Sequence, residues 1–410
     1  MNLHLLSDEF VGSLNNIEKK KHLLKIRIIN ELYLNGEQTN HQLRRELSIS
    51  TPTSIGLLNE LMAEGTIEKK GRGKSSGGRK PDLFTLKKNA FFLLAIHLEK
   101  YKAELAIFNN HHENISGTRT FSLPLSKGVD IADPLYAQAS QVIRASGIDP
   151  MQLLGVGINM PGLVDAEAGI NYTYAYTKEG TLRASLETKF ERPVFIENDA
   201  KARTLAEHRF GLARNKNDIL AIFLDWGIGL GIIREGTLYR GANGFAGEFG
   251  HIPVLENGQL CTCGKQGCLE TVASGTALVK MAEEGRHTKK SSIFKNMSED
   301  DDCKPDLYAI IEAAVSGDQY AVSLISEVGF HLGKGISVLI QLFNPELIIL
   351  GGKIAEAKQY LIIPVMQALN TYCIPQLAEK TSIQVSNVGH QSGILGSVAV
   401  VMENLFKKYQ

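Results

Sequence analysis

One histidine and three cysteines lie close enough together in the sequence to bind a metal ion. His251, Cys261, Cys263 and Cys268 form the pattern H-x9-C-x-C-x4-C, and thiolate and imidazole groups are the ligands that zinc prefers. A Cys₃His set closes a tetrahedral site and leaves no position for water, so we predict one structural zinc ion per chain. The alternative is a group of free thiols beside an unrelated histidine.

A basic, glycine-rich segment near the N-terminus could contact the phosphates of a nucleic acid. Six Lys or Arg side chains and no acid fall within residues 69–80, whereas the whole chain balances 44 basic against 44 acidic side chains. Cationic side chains neutralise phosphates, and glycines let the backbone approach them closely. We expect phosphate contacts from four of these residues: Arg72, Lys74, Arg79 and Lys80.

The segments around this basic loop predict the elements that would present it to DNA. The sequence predicts one helix over residues 20–34, a second that Thr39 caps, and a third from Ser50 or Thr51 to Gly65. Two short strands, TIEKK and DLFTL, follow on either side of the basic loop. This order is typical of a winged helix-turn-helix. The third helix would bury Ile55, Leu58, Leu61 and Met62, and would offer Thr51, Thr53, Ser54 and Asn59 to DNA.

The alternative interpretation of this N-terminal region is a helical protein-interaction module with a solvated basic loop.

Beyond Ala90 the chain alternates buried strands with helices, which indicates α/β layers around a mostly parallel sheet. Five cysteines are too few for a disulfide framework, no apolar stretch reaches the ~18 residues of a membrane span, and the first residues do not resemble a signal peptide. We therefore expect a cytoplasmic protein.

Three further stretches resemble the ROK family, which comprises repressors, uncharacterised open reading frames and sugar kinases. These are the glycine-rich Gly227–Val254, the cysteine-rich Cys261–Ser274 and the motif ENDAKA at Glu197–Ala202. The resemblance covers about residues 88–402 and implies a two-lobed, actin-like (ribonuclease H-like) fold with a sugar in its cleft. It divides the chain into a DNA-binding domain, 1–85, and a ROK domain, 86–410. Lobe 1 would comprise about 86–200 and the C-terminal end, and lobe 2 about 201–385.

The resemblance also implies a set of sugar ligands. Asp199 matches the residue that acts as general base in the family's kinases. The whole expected set is Gly162, Asn198, Asp199, Glu248, His251 and Glu270. Carboxylates accept hydrogen bonds from sugar hydroxyls, and His251 could bind zinc through one ring nitrogen and face the sugar with the other. The alternatives are a helix-capping role for Asp199 and plain surface charge for Glu248 and Glu270.

The segments that match the kinases' phosphate-binding turns are altered. The first turn of the kinases contains an Asp, two glycines and a Thr, and these positions read His97, Glu99, Lys100 and Tyr101 here. The second turn, Gly-Thr-Gly, reads Asp225-Trp226-Gly227. Without glycines a nest of backbone amides does not form readily, and a carboxylate repels phosphate.

These observations predict a sugar-responsive transcriptional repressor, a homodimer or homotetramer that binds operator DNA and a sugar or sugar phosphate and has no catalytic residues. Two alternatives remain open. One is an ATP-dependent ROK sugar kinase that carries a DNA-binding domain, and the other is a regulator whose lobes bind a transport-system protein.

Overall fold

The computed structural model describes residues 14–73, 80–176, 180–287 and 306–407. The chain divides into two compact units. Unit 1 comprises Met1–Asn198 and Ile394–Gln410, and unit 2 comprises Asp199–Gly393. Each unit has its own five-stranded sheet, which agrees with the predicted α/β class. The expectation of a mostly parallel sheet is wrong, because in each sheet two strand pairs are parallel and two are antiparallel.

The described part of unit 1 begins, at residue 14, with a head of three helices and a small sheet, in the predicted order. The helices are α1 (Asn16–Asn35), α2 (Asn40–Leu47) and α3 (Thr51–Ala63), and the strands are β1 (Gln38–Thr39), β2 (Ile67–Arg72) and β3 (Asp82–Leu86), with β3 central. Local hydrogen bonds fix where the helices start. Thr39 and Gln42 form a capping box at α2, and the Ser50 hydroxyl accepts a hydrogen bond from the Thr53 N–H at α3.

The packing of α3 differs from the prediction at two adjacent positions. Leu57, Leu58 and Leu61 are buried, but Ile55 is 46% exposed and Ser54 is fully buried. The Ser54 hydroxyl donates a hydrogen bond to the Asn40 side chain of α2. The expectation that Ser54 contacts DNA is therefore wrong, because its side chain joins two helices of the head.

Two asparagines bond the head to the rest of unit 1, and we call this pair, Asn109 and Asn110, the linker clamp. The Asn110 side chain accepts the Ala90 N–H at 2.9 Å and donates to the Lys87 carbonyl at 3.0 Å. The Asn109 amide donates to Asn89 at 2.8 Å. Both asparagines are buried, so the linker 87–90 is held by side chains of the sheet that follows it.

An aromatic contact adds to the linker clamp. The Tyr33 ring of α1 lies edge-on to Phe91, with ring centroids 5.2 Å apart, and 6.2 Å from the Phe406 ring near the C-terminus. The head is thereby packed against the body of unit 1.

The body of unit 1 is a sheet flanked by helices. Its elements are β4 (Phe92–Leu98), β5 (Lys102–Asn109), β6 (Arg119–Ser122), β7 (Val129–Asp130), α4 (Ala132–Ser146), β8 (Leu153–Met160), β9 (Val164–Asp165), β10 (Ile170–Asn171), β11 (Ala175–Tyr176), α5 (Leu182–Phe190) and β12 (Val194–Asn198). The strand order of the sheet is β12-β8-β4-β5-β6, in which β4 pairs antiparallel with β5 and parallel with β8. The C-terminal α13 (Ser392–Asn404) returns from unit 2 to this body.

Unit 2 is a second sheet with a larger helical layer. Its elements are α6 (Asp199–Phe210), β13 (Ile219–Leu224), β14 (Ile228–Arg234), β15 (Thr237–Leu238), α7 (Glu270–Ala273), α8 (Gly275–His287), α9 (Leu307–Val315), α10 (Gln319–Phe343), β16 (Leu347–Gly351), α11 (Gln359–Tyr372), α12 (Pro375–Ala378) and β17 (Ser382–Val385). The strand order of the sheet is β15-β14-β13-β16-β17.

Helix α10 is the central helix of the unit 2 core. By length and composition it is the one helix in the described ranges that could cross a membrane, although the sequence predicted no such segment. However, 61% of its apolar window is buried, and Leu332 and Ile336 belong to the same core as Ile222 of β13. Its hydrophobicity is accounted for by this packing.

Candidate functional site

The four predicted metal ligands converge in unit 2. The donor atoms of His251, Cys261, Cys263 and Cys268 all lie within 4.8 Å of one another. The Cys263 and Cys268 sulfurs are 3.7 Å apart, and the Cys261 sulfur is 3.5 Å from His251 Nδ1. Tetrahedral zinc with its usual bond lengths would separate two sulfurs by about 3.8 Å and a sulfur from a nitrogen by about 3.6 Å. The donor set therefore fits zinc in both chemistry and spacing.

The loop between the cysteines folds back because of one glycine in particular. Gly267 has φ +74°, and a Cβ there would lie 1.9 Å from the Leu255 carbonyl oxygen. Burial, together with the neighbouring thiols, raises the pKa of the Cys268 thiol to about 12. The backbone N–H of Lys265 lowers the pKa of the exposed Cys263 thiol. A bound zinc ion would hold these groups as thiolates, since the thiolate is the form that ligates metal.

Two carboxylates adjoin the metal-ligand cluster. Glu248 Oε2 lies 3.9 Å from His251 Nε2, on the side of the imidazole opposite Cys261. Glu270 begins α7 two residues after Cys268, and its Oε2 accepts the Ile228 N–H at 3.1 Å. Glu248 and Glu270, which the family resemblance implies as sugar ligands, therefore lie beside the metal-ligand cluster.

Asp199 contributes a third charge to the same neighbourhood. Burial raises the pKa of the Glu248 carboxyl, the charges of Asp199 and Glu270 raise it further, and His251 and Lys201 oppose the rise. Asp199 is the first residue of α6, where an acidic side chain also interacts favourably with the helix dipole. Unit 2 thus gathers three carboxylates and an imidazole around one region, a set of acceptors suited to a polyhydroxylated ligand.

The two predicted ligands in unit 1 are bonded to each other. The Asn198 side chain donates to the Gly162 carbonyl at 3.1 Å. Gly162 has φ +96°, and a Cβ there would lie 2.7 Å from the Thr173 Cβ. Asn171, which sequence reasoning did not identify, holds this loop: its side chain donates to the Pro161 carbonyl and accepts two backbone N–H groups. The only sequence signal was an Asn in a turn-rich segment.

The second altered phosphate turn contains an ion pair that sequence reasoning also missed. Asp225 Oδ2 contacts Arg203 Nη1 at 2.6 Å, and Asp225 Oδ1 accepts the Lys353 N–H at 2.9 Å. Lys353 directly follows Gly352, which has φ +85° and close contact with the Leu224 backbone. The Asp225 carboxylate of the altered phosphate turn is therefore hydrogen-bonded to the backbone N–H that follows the Gly351-Gly352 pair.

The Arg203 guanidinium is held on two further sides. It stacks over the Phe223 ring at 4.1 Å, and its Nε donates to the Ser392 hydroxyl at 3.0 Å. Although burial alone would raise the pKa of Asp225, Arg203 and the Lys353 N–H hold it below its usual value. The Asp225 carboxylate is thus charged, and each of its two oxygens has a partner.

The first altered phosphate turn lies in unit 1 and is also occupied by internal contacts. His97 Nδ1 is hydrogen-bonded to Asn159 Oδ1, and the Asn159 amide donates to Ser397 at 2.8 Å. Glu99 pairs with Lys102 at 3.0 Å, and the Tyr101 ring is 63% exposed. His97 thus connects β4 to β8 and, through Asn159, to α13, and Glu99 is bonded within the β4–β5 hairpin.

The predicted DNA-binding residues lie on the head, with two outside the described residues. Thr51, Thr53 and Asn59 are exposed on α3, in contrast to Ser54. Arg72, at the end of β2, and Lys80 are also exposed. Lys74 and Arg79 fall in the segment 74–79, which is not described.

Comparison with known proteins identifies relatives over nearly the whole chain. The xylose repressor of Bacillus spizizenii is 30% identical over 92% of this chain and 94% of its own. The DNA-binding transcriptional dual regulator NagC of Escherichia coli is 27% identical over 95% of both chains.

Two solved structures share the fold. A ROK family transcriptional regulator, a homologue of the E. coli MLC protein, has a TM-score of 0.81 at 25% identity and covers 95% of this chain and 98% of its own. A ROK family glucokinase from Streptomyces griseus, solved with glucose and AMPPNP, has a TM-score of 0.64 at 27% identity over 75% of this chain and 97% of its own. The ROK family model matches residues 94–404, nearly all of the chain beyond the head. This protein is therefore a member of the ROK family.

Proposed function

We propose that this protein is a transcriptional repressor that binds operator DNA through its head and responds to a sugar or sugar phosphate bound by its ROK domain. The observation that supports this proposal most is the combination, in one chain, of a three-helix head with a basic hairpin and a ROK domain in which acidic side chains adjoin a His/Cys₃ cluster that fits zinc. Relatives that align with both parts over more than nine-tenths of the chain are named as a repressor and as a DNA-binding transcriptional dual regulator.

In this proposal Asp199, Glu248 and Glu270 accept hydrogen bonds from sugar hydroxyls. Glu248 and Glu270 flank the metal-ligand cluster, so an ordered cluster also orders the two carboxylates. His251 would bind zinc through Nδ1, which faces Cys261, and would leave Nε2 on the side of Glu248. Gly162 and Asn198 remain predicted ligands. His251, Cys261, Cys263 and Cys268 would fill all four positions of a bound zinc ion, whose role would then be structural.

We further propose that the protein does not transfer phosphate to the sugar. Phosphoryl transfer depends on positioning and neutralising the phosphates. The Asp225 carboxylate already bonds the Lys353 N–H and the Arg203 cation, so a phosphate would have to displace a bonded charge of the same sign. His97 and Glu99 are likewise bonded to neighbouring side chains.

The second candidate function, a sugar kinase, is favoured by Asp199, which matches the family's general base. The deciding assay is ATP turnover with each sugar that stabilises the protein, with Asp199→Asn as the control. Turnover that disappears in Asp199→Asn would contradict the repressor-only proposal.

The first experiment is a thermal-shift screen with D-xylose, N-acetylglucosamine and related sugars, and with the 6-phosphates of the hexoses and amino sugars among them. A ligand at a hundred times its dissociation constant adds about 2.7 kcal/mol of stability. The stabilising sugar is then added to the protein bound to operator fragments chosen from a random DNA library. Release of the DNA supports the proposal, and DNA binding that no stabilising sugar alters contradicts it. Sedimentation of the same samples tests the expected homodimer or homotetramer.

A further inference from the structure

The exposed face of α3 carries an apolar side chain at its centre. Thr51, Ile55 and Asn59 are spaced four residues apart, so they form one stripe along the helix. All three are exposed, and Ile55 is 46% accessible. The stripe therefore presents a branched alkyl group between two small polar side chains.

Ile55 is not needed for the packing of the head. Leu57, Leu58 and Leu61 already supply the buried side of α3. The next residue, Gly56, is also unusual on an exposed helix face, because glycine lowers helix stability relative to alanine. A Cβ at Gly56 would meet no atom within 4 Å. The helix thus keeps a shallow surface beside Ile55 where another molecule can approach the backbone closely.

The charges of α3 narrow the chemistry that this surface can recognise. Glu60 is the only charged residue between Thr51 and Ala63, and it is paired with Lys21 and Lys25 of α1. The commonest specific contact in the major groove, an Arg or Lys on guanine, cannot come from this helix. The apolar feature of the major groove is the C5-methyl group of thymine, which alkyl side chains contact.

We propose that Ile55 is a specificity-determining residue that reads a thymine methyl group in the major groove of the operator. This inference rests on the proposed function and deepens it. Asn59 lies about 6 Å further along the helix axis, or about two base-pair steps. Its amide has the geometry to pair with adenine N6 and N7. The preferred operator therefore contains a thymine, read by Ile55, and an adenine within about two base pairs of it.

The test is a double-mutant cycle between the protein and a single methyl group of the DNA. The full chain first selects its preferred sequence from a random duplex library. Each thymine of one half-site is then replaced by deoxyuridine, which removes the methyl group and nothing else. We expect one replacement to weaken binding by about fourfold, the factor for burying one methyl-sized group. In Ile55→Ala the same replacement has no effect, because the methyl group has lost its partner.

A control variant and the possible outcomes keep this inference separate from the proposed function. Ile374→Ala truncates another half-exposed isoleucine, in unit 2, and should retain the fourfold discrimination. Because Ile55 is exposed, Ile55→Ala should also retain the wild-type melting temperature. The inference is overturned if the selected operator shows no thymine whose methyl group matters. It is equally overturned if Ile55→Ala keeps the discrimination, or changes only the oligomeric state. If the library yields no preferred sequence, the proposed function fails first.

Discussion

The ion pair of Asp225 and Arg203 should stabilise unit 2, and Asp225→Asn tests this directly. The amide keeps the shape and an acceptor for the Lys353 N–H, but it leaves the Arg203 cation without its counter-charge. Removing one partner of a buried pair costs about 3–5 kcal/mol. The Asp225 side chain is 30% exposed, and Arg203 retains Ser392 and the Phe223 ring. We therefore expect Asp225→Asn to lower the free energy of unfolding by about 3 kcal/mol, the lower end of this range.

The chain contains its own probe for this measurement. Trp226 is the only tryptophan and directly follows Asp225, so its fluorescence during urea unfolding reports on the unit that contains the pair. The matched control is Glu235→Gln, which removes an exposed ion pair of the same unit, with Arg234 at 3.9 Å. Exposed pairs of this kind contribute little, so the control should unfold at the wild-type urea concentration.

The pH dependence of the same measurement follows from the direction of the pKa shift. The folded-state pKa of Asp225 lies below its usual value, so its contribution is fully present above the unfolded value of about 4 and is lost as the pH falls through the folded value. The difference in stability between wild type and Asp225→Asn should therefore be constant near neutral pH and shrink below about pH 4. Wild-type stability in Asp225→Asn, or a difference that does not shrink in acid, would refute the account of this ion pair.

Three further predictions concern the metal, the DNA and the sugar. Cys263→Ser should lose both the bound zinc and the response to sugar, whereas Cys373→Ser, which lies outside the cluster, should keep both. A metal analysis that finds full zinc occupancy in Cys263→Ser would contradict the ligand set. Replacing Arg72 and Arg79 with Ala should weaken binding to all DNA sequences. It should also reduce the slope of log affinity against log salt concentration by about 0.9 per lost phosphate contact. Titrations that show the wild-type slope would contradict the predicted phosphate contacts. Asp199→Asn should weaken binding of the stabilising sugar, measured by calorimetry, and unchanged affinity would remove Asp199 from the site.

The sequence predicted the elements whose signals are local. The Thr39 and Ser50 caps depend on residues three positions apart, and the four metal ligands lie within one short segment. The error at Ser54 and Ile55 arose because helical periodicity alone does not decide which of two adjacent residues faces the core. That choice depends on Asn40 of the neighbouring helix.

Contacts between distant segments could not be predicted. Arg203 and Asp225 are separated by 22 residues, and Asp225 and Lys353 by 128. A single sequence shows Asp225 only as a residue that departs from the kinase pattern, whereas the fold shows what it binds. The same holds for Asn171, whose role depends on the path of the Pro161 turn.

The linker clamp has a consequence for how the head finds and leaves DNA. If the head were attached by a flexible linker, the length of that linker would determine the volume that the head can reach. The effective concentration of the head at a second DNA site would then change with each residue added to the linker. Here Asn109 and Asn110 bond three of the five residues, 87–91, that join the head to β4. The head therefore moves with the end of β5. In the proposed homodimer or homotetramer, the spacing of two heads on an operator would be set by the arrangement of whole protomers. Glycines inserted beside Asn89 would turn this fixed attachment into a tether, so operators with different half-site spacings would then be bound with similar affinity.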